Sequence, residues 1–461
     1  MIPLAGESET DPARTWVEFV LVLLLATSIF KAFIVDGYFV PTGSMAPGLL
    51  GLHHRLTCPE CGYAFDVGHD AGGWRPPSLV CPQCKHPGLT LADQIDQPGD
   101  RLLVLKGYFE LFPPKRWETV VFLNPNDAGE AYVKRVVGLP RETISVRGGD
   151  IYANGQIARK TFEQYRAVAL PVYDQRFASR SRRDANHWVV NGLPKIWVPG
   201  PAGWRFDGRS YRDRSELAFQ DLSDTGRPTI LRDDIPYNLT RLGGRSPEIT
   251  DVGVSFELSE LAGDGDFTVR LSPAVRHDFV LRLTPATGSL HIEAPGEPTR
   301  TTPIRWRTDR PVRVEWSFWD ARLECRLDGQ PVDGLDLSPI PLGFEPNLHP
   351  VSFEVQRLAG QIGPIEIYRD IYYRSEPPGS WPGREPQGIP LGKDEYCMFG
   401  DNSSVSNDSR SWDVPGISRR LFLGKPVLVH LPMRAERGKI AGRAWQAQWP
   451  DWSRFRRIDP W

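Results

Sequence analysis

Tyr132-Val133-Lys134-Arg135-Val136-Val137-Gly138-Leu139-Pro140 is the stretch on which the reading of this chain turns. Apolar residues alternate around a lysine, so the segment reads as a strand with Tyr132, Lys134 and Val136 on one face. A single lysine in a strand is ordinarily a solvent-facing charge. It becomes chemistry only when a nucleophile faces it and the amine is neutral, because an ammonium cannot take a proton. Its ordinary pKa of about 10.4 must then be pulled down by apolar surroundings. The histidines form no Ser-His-Asp pattern and no Gly-x-Ser-x-Gly elbow occurs, so a serine–lysine pair is the form of nucleophilic catalysis to look for.

The segments outside the lysine strand supply its partners. Residues 16–35 read WVEFVLVLLLATSIFKAFIV, with no charge from Phe19 to Phe30. Such a run is long enough to cross a bilayer as a helix. The residues before it carry Glu7, Glu9, Asp11 and Arg14, unlike the basic start of a cleaved leader, so a retained anchor is expected. The same flank gives no orientation by charge. About nine residues after the anchor comes Pro41-Thr42-Gly43-Ser44-Met45-Ala46-Pro47. A strand follows at Gly99-Asp100-Arg101-Leu102-Leu103-Val104, and a turn-rich segment, Gly400-Asp401-Asn402-Ser403-Ser404-Val405-Ser406-Asn407-Asp408-Ser409-Arg410, lies near the C-terminus.

These four segments, in this order behind an anchor, resemble the sequence boxes of type I signal peptidases. The resemblance covers roughly half the chain. It implies a membrane-bound serine endopeptidase in which Ser44 attacks the scissile carbonyl and Lys134 is the general base. It places the Ser44 N–H and the Thr42 hydroxyl in the oxyanion hole; Thr42 stands where the family often has Ser. It makes Ser406 the residue that orients the lysine amine, with Asp401, Asn402, Asp408 and Arg410 as site support. Turn chemistry is an equally good account of Asp401, Asn402 and Asp408. Ser403 stands where family members often have Arg. Tyr38, Val40, Met45, Tyr132 and Val133 fall where the family lines its substrate groove. That groove takes small residues, typically Ala, at the first and third positions before the cut. The resemblance also implies signal peptides of exported preproteins as substrates. It implies a single-pass protein of the cell (inner) membrane with a cytoplasmic N-terminus and an extracytoplasmic catalytic domain. No cofactor is needed for the chemistry.

Two regions lie outside the resemblance. In the first, Cys58-Pro59-Glu60-Cys61 and Cys81-Pro82-Gln83-Cys84 are separated by 19 residues. This spacing suits a structural zinc bound by four thiolates, with two disulfides as the alternative. In the second, residues 204–373 contain short alternating segments divided by turn residues, including Gly263–Asp266 and Asp328-Gly329. They predict an inserted β-sandwich of the concanavalin/laminin-G jelly-roll kind, with an unidentified ligand. Its inward set includes Val254, Phe256 and Leu258; Phe267, Val269 and Leu271; Val312, Val314 and Trp316; and Leu323, Cys325 and Leu327. It carries none of the motif residues, so it is expected to bind or position something without taking part in the chemistry.

The fold class expected is mainly β. The layout is a tail (1–15), an anchor (16–35) and a catalytic core in three parts (36–51, 98–160, 386–434). The zinc-ribbon-like insertion occupies 52–97, the sandwich with flanking loops 161–385, and a Trp/Arg-rich tail 435–461. That tail could lie at the bilayer interface or pack on the core. The run Arg180-Ser181-Arg182-Arg183 sits in a stretch, about 160–191, that reads as polar and irregular. Gly148-Gly149 and Asn154-Gly155 predict hairpin turns. A length of 461 residues fits two or three compact units, and a net charge of −2 offers no field for nucleic acid. The alternative function is an inactive membrane-anchored scaffold with a lectin-like sandwich.

Overall fold

The computed structural model describes residues 12–69, 76, 78–92, 94–124, 129–179, 187–192, 196–200, 203–238, 246–307, 309–376, 388–440 and 443–459. The run Arg180–Arg183 and the acidic residues before Pro12 lie outside the described residues.

The apolar run forms a helix, Pro12–Phe33, of 22 residues. At 1.5 Å per residue it is about 33 Å long, enough to cross a hydrocarbon core of about 30 Å. Its large apolar side chains are exposed, and none of its residues is buried by the described residues. The helix ends two residues earlier than the hydropathy suggests. Val35–Phe39 is already a strand, paired antiparallel with Arg101–Lys106. Lys106 explains the stop. Its Nζ donates to the helix-end carbonyls of Ala32 at 3.3 Å and Lys31 at 3.5 Å, and pairs with Asp36 at 3.0 Å. A cation there satisfies the unpaired carbonyl end of the helix, and it ties the helix to the sheet that carries the serine loop.

That sheet runs in the order Val35–Phe39, Arg101–Lys106, Phe422–Val429, Thr119–Leu123, Ala131–Gly138, Glu395–Phe399, Gly416–Ser418. The lysine strand is therefore central, with Lys134 opposite Val120 and Val136 opposite Met398. Both its faces are packed, which is why Lys134, Arg135, Val136 and Val137 are all buried. The two hairpin turns are found as expected. Arg147 pairs with Asp150 and Ala153 with Gln156, leaving two-residue loops at Gly148-Gly149 and Asn154-Gly155.

The inserted region shares one large apolar core. Val254, Phe256, Leu258, Phe267, Val269, Leu271, Val314, Trp316, Leu323 and Cys325 all belong to it. The turn at Asp328-Gly329 is present, with Leu327 opposite Gln330. The turn expected at Gly263–Asp266 is not. Val252–Ala274 is one strand of 23 residues, and its pairing with Val351–Ile362 continues across bulges between Ser259 and Ala262 and between Gly263 and Asp266. Extra residues absorbed in bulges bend a strand without ending it. Gly and Asp there therefore mark a bend, not a reversal.

Three further stretches differ from expectation. Part of the stretch read as irregular is ordered. Phe162–Val168 is a helix, opened by a capping box between Thr161 and Gln164, with Phe162, Tyr165 and Val168 buried. Leu170–Asp174 is a strand paired with Glu366–Arg369. The chain thus enters and leaves the inserted region side by side. In the cysteine region, His53–Thr57 pairs with Ala64–Gly68, an order that its many Gly and Pro residues hide. In the tail, Met433–Ile440 and Arg443–Pro450 form a hairpin.

Candidate active site

Ser44 sits in a one-turn 3₁₀ segment, Gly43–Met45, between the first strand and the cysteine region. Three contacts pin its loop. Leu52 N–H donates to the Pro41 carbonyl at 3.2 Å and Leu49 N–H to the Met45 carbonyl at 2.8 Å. The Asp100 carboxylate accepts the Leu50 N–H at 2.9 Å and pairs with Arg454 at 2.7 Å. The second strand box and the C-terminal tail therefore meet behind the serine loop. Arg454 is spent on that contact rather than on an outer surface, while Trp449, Trp452 and Phe455 remain exposed.

Lys134 faces this loop. Its Nζ lies 2.5 Å from Ser44 Oγ, with the lysine only 3% and the serine 8% exposed. Burial pushes the lysine pKa down to about 8; the nearby charges act in both directions, Asp408 and Asp401 raising it and Arg410 lowering it. The Tyr132 ring lies 5.7 Å from the amine. The Thr42 hydroxyl, on the exposed rim of the loop, stands 3.5 Å from Ser44 Oγ.

The C-terminal motif closes the site from behind. Asn402 N–H donates to the Ser44 carbonyl at 3.0 Å, and Asn402 Nδ2 donates to the Gly43 carbonyl at 2.9 Å. Asp401 takes two hydrogen bonds from Arg135, and Arg135 also meets Asp459 at 3.0 Å. Asp408 is buried and engaged by Arg410 and by the Gly400 N–H. Ser403 fills part of the space near the same arginine, its Oγ accepting from Arg410 at 2.7 Å and from the Arg374 N–H at 2.8 Å. Ser406 is fully buried, and its Oγ has no hydrogen-bond partner among the described residues. A Cβ on Gly400 would stand 2.2 Å from Ser406 Oγ and 2.4 Å from the Ser44 carbonyl oxygen, so only glycine leaves room for both against this backbone.

A cleft of about 360 Å³ opens beside Ser44 and Lys134, lined by Tyr38, Val40, Thr42, Tyr132 and Val133 together with Leu102 and Val121. Met45 does not line this cleft but packs behind it, in an apolar cluster with Val40, Leu102 and Val121. Its side chain is buried, its sulfur accepts the Asp401 N–H at 3.4 Å, and it lines a second cavity bounded by Arg135, Asp401 and Asp459. The 3₁₀ turn carries Met45 away from the face that Ser44 presents.

Two site residues have roles that the motifs do not reveal. Arg135 looks like an ordinary strand cation until Asp401 is placed against it. Asn238 belongs to the inserted region, yet its amide forms a reciprocal pair with that of Asn402, at 2.6 and 2.8 Å. The inserted region therefore does not stand apart from the motifs.

The four motif cysteines converge, with sulfur atoms within 4.8 Å of one another. Cys58 and Cys84 lie 3.6 Å apart and Cys61 and Cys81 3.7 Å apart. A tetrahedron with metal–sulfur bonds of about 2.3 Å has edges of about 3.8 Å. The arrangement is compatible with zinc, and these separations are far longer than a disulfide bond of about 2.05 Å.

Sequence comparison bears on part of this site. Residues 78–194 match the family described as signal peptidase, peptidase S26. The matched residues include Lys134 but neither Ser44 nor the C-terminal motif. The probable signal peptidase I-1 of Synechocystis is 34% identical over 124 residues, covering 24% of this chain and 63% of that one. The probable signal peptidase I-2 of the same organism is 26% identical over 178 residues, covering 36% and 57%. The chain thus spans less than two thirds of the length of these relatives. Among solved structures, a carbohydrate-binding module, CBM66 of Bacillus subtilis, overlaps 39% of this chain and 94% of its own, at 10% identity and a TM-score of 0.26. A likeness that slight carries no argument about the inserted region.

Proposed function

We propose that this protein is a membrane-anchored serine endopeptidase that removes signal peptides from exported preproteins. The observation that carries the reading is the 2.5 Å contact between Ser44 Oγ and a buried Lys134. The signal peptidase relatives support the substrate class.

In this mechanism the scissile carbonyl lies in the cleft beside Tyr132 and Val133. Neutral Lys134 takes the proton of Ser44 Oγ as that oxygen attacks. The developing oxyanion accepts hydrogen bonds from the Ser44 N–H and the Thr42 hydroxyl; an oriented donor of this kind is worth about 3 kcal/mol in the transition state. The lysine ammonium then protonates the departing amine, the new N-terminus of the mature protein. Water, deprotonated by the lysine once it is neutral again, hydrolyses the acyl ester and restores Ser44. Ser406, buried with a free hydroxyl, is the group available to hold the amine. Asp408 and Arg410 brace the loop that carries it.

Cleavage after small residues of the Ala-x-Ala type is part of the proposal, and the cleft lined by Tyr38, Val40, Tyr132 and Val133 is the groove that would receive them. The anchor helix enters the catalytic sheet directly, so the active site lies close to the bilayer. A preprotein whose own apolar segment is still in the membrane presents its cleavage point at that level, which lowers the entropic cost of positioning it. By analogy with the signal peptidase relatives, the catalytic domain works on the extracytoplasmic face of the cell membrane. The four cysteines would hold a structural zinc as thiolates, and the inserted region would bind a ligand of unassigned class. The test is incubation of detergent-solubilised protein with a preprotein. Native protein releases mature product and the Ser44→Ala variant releases none; equal cleavage by both would refute the reading.

A further inference from the structure

The inserted region meets the serine loop at the turn Pro236–Asn238, beside Leu170 and Ile235, which share a small apolar cluster with Ala46 and Leu50. Tyr237 packs its ring against Gly43, where a Cβ would come within 2.1 Å of it, and its hydroxyl donates to the Leu52 carbonyl at 2.9 Å. Asn238 is 1% exposed and its amide is fully engaged. Nδ2 donates to Asn402 Oδ1 at 2.6 Å and to Ser404 Oγ at 2.9 Å, while Oδ1 accepts from Asn402 Nδ2 at 2.8 Å. The remaining Asn402 Nδ2 hydrogen goes to the Gly43 carbonyl.

This arrangement fixes which end of the Asn402 amide faces the serine loop. Turned by half a revolution, Asn402 would set its oxygen against the Gly43 carbonyl and its NH₂ against Asn238 Nδ2, acceptor on acceptor and donor on donor. The reciprocal pair with Asn238 disfavours that state. The Gly43 carbonyl belongs to the same peptide unit as the Ser44 N–H. In a trans peptide the two point in opposite directions, so a hydrogen bond that anchors one aims the other.

We propose that Asn238, supplied by the inserted region, is a positioning residue: through Asn402 it holds the Gly43–Ser44 peptide plane so that the Ser44 N–H faces the oxyanion. The inference rests on the peptidase reading above, in which that N–H stabilises the transition state. It assigns the insertion a part in building the site, whatever else the region binds.

The test uses full-length, detergent-solubilised protein and two variants. Asn238→Ala removes the amide. Asn238→Asp keeps its shape but offers Asn402 Oδ1 no donor. The variant whose melting stays within a few degrees of native is read. Its limiting kcat on a preprotein should fall about tenfold or more while KM stays put, and in Asn238→Ala, which adds no charge, the pKa of the pH profile should stay put as well. In an Asn402→Ala background the same change should cost nothing further. Exchange of the Ser44 amide hydrogen should also quicken. A kcat within twofold of native, or losses that multiply in the double variant, would overturn the proposal. If the native protein cleaves no preprotein, the peptidase reading fails; the exchange measurement still reports on Asn238, and an unchanged Ser44 amide would overturn its positioning role separately.

Discussion

Arg135 and Asp401 form a two-pronged ion pair, Nε to Oδ1 at 2.7 Å and Nη2 to Oδ2 at 2.6 Å, buried behind the serine loop. Arg135 follows Lys134 on the same strand, so the two cations point to opposite faces. One is held charged by paired carboxylates; the other is left to lose its proton. Asp401 acts on both, because its charge also favours the ammonium form of Lys134.

Replacing Asp401 with Asn should therefore have two separable effects. The core should lose about 3 kcal/mol of stability, since a buried guanidinium loses its principal partner. The rising limb of the pH–rate profile should move to lower pH, because a charge that raised the lysine pKa is gone. Thermal melting reads the first and kcat/KM against pH reads the second. A limb that moves to higher pH would contradict the electrostatic account.

Burial of Lys134 carries a stability cost with a definite sign. Its folded pKa of about 8 lies below its ordinary 10.5, so between those values the unfolded chain holds more protons and stability rises with pH. Below pH 8 the full penalty applies, roughly 3 kcal/mol for a shift of this size. Lys134→Met should thus melt higher than native at pH 7 while being inactive. The difference should shrink as pH is raised toward 10. A variant that melts lower at pH 7 would mean that the amine is better solvated than its surroundings imply.

The cysteine cluster gives a prediction independent of catalysis. Purified protein should carry about one zinc per chain, and Cys81→Ser should lose it and loosen the hairpin His53–Gly68. Metal analysis with thiol counting decides the matter. Absence of metal, together with two disulfides by mass, would contradict the assignment.

Much of this site was legible in the sequence because its chemistry is local. Ser44, Thr42 and Lys134 lie in short motifs, and alternation alone puts Lys134 on one face of a strand. Met45, expected to line the groove, packs behind its wall with Val40 and Leu102, since a 3₁₀ turn sends neighbouring side chains in different directions. The roles of Arg135, although it stands in the lysine motif, and of Asn238 were illegible for another reason. Their partners, Asp401 and Asn402, are more than a hundred residues away, and no periodicity encodes such contacts. In the inserted region, the alternating apolar positions identified the core set. Gly263–Asp266 misled because glycine and aspartate mark bulges as well as turns. The helix Phe162–Val168 was missed because two turns carry too short a period to stand out among polar neighbours.

The central claim is that Lys134 acts as a neutral base toward Ser44. Its most direct test is kcat/KM on a preprotein as a function of pH, for native protein and for Lys134→Arg. Native activity should climb about tenfold per pH unit at low pH and level off near 8, where the lysine has lost its proton. The Lys134→Arg variant, charged throughout, should show no cleavage at any pH. A native profile that is flat from pH 6 to 9, or an arginine variant with activity near native, would contradict the account.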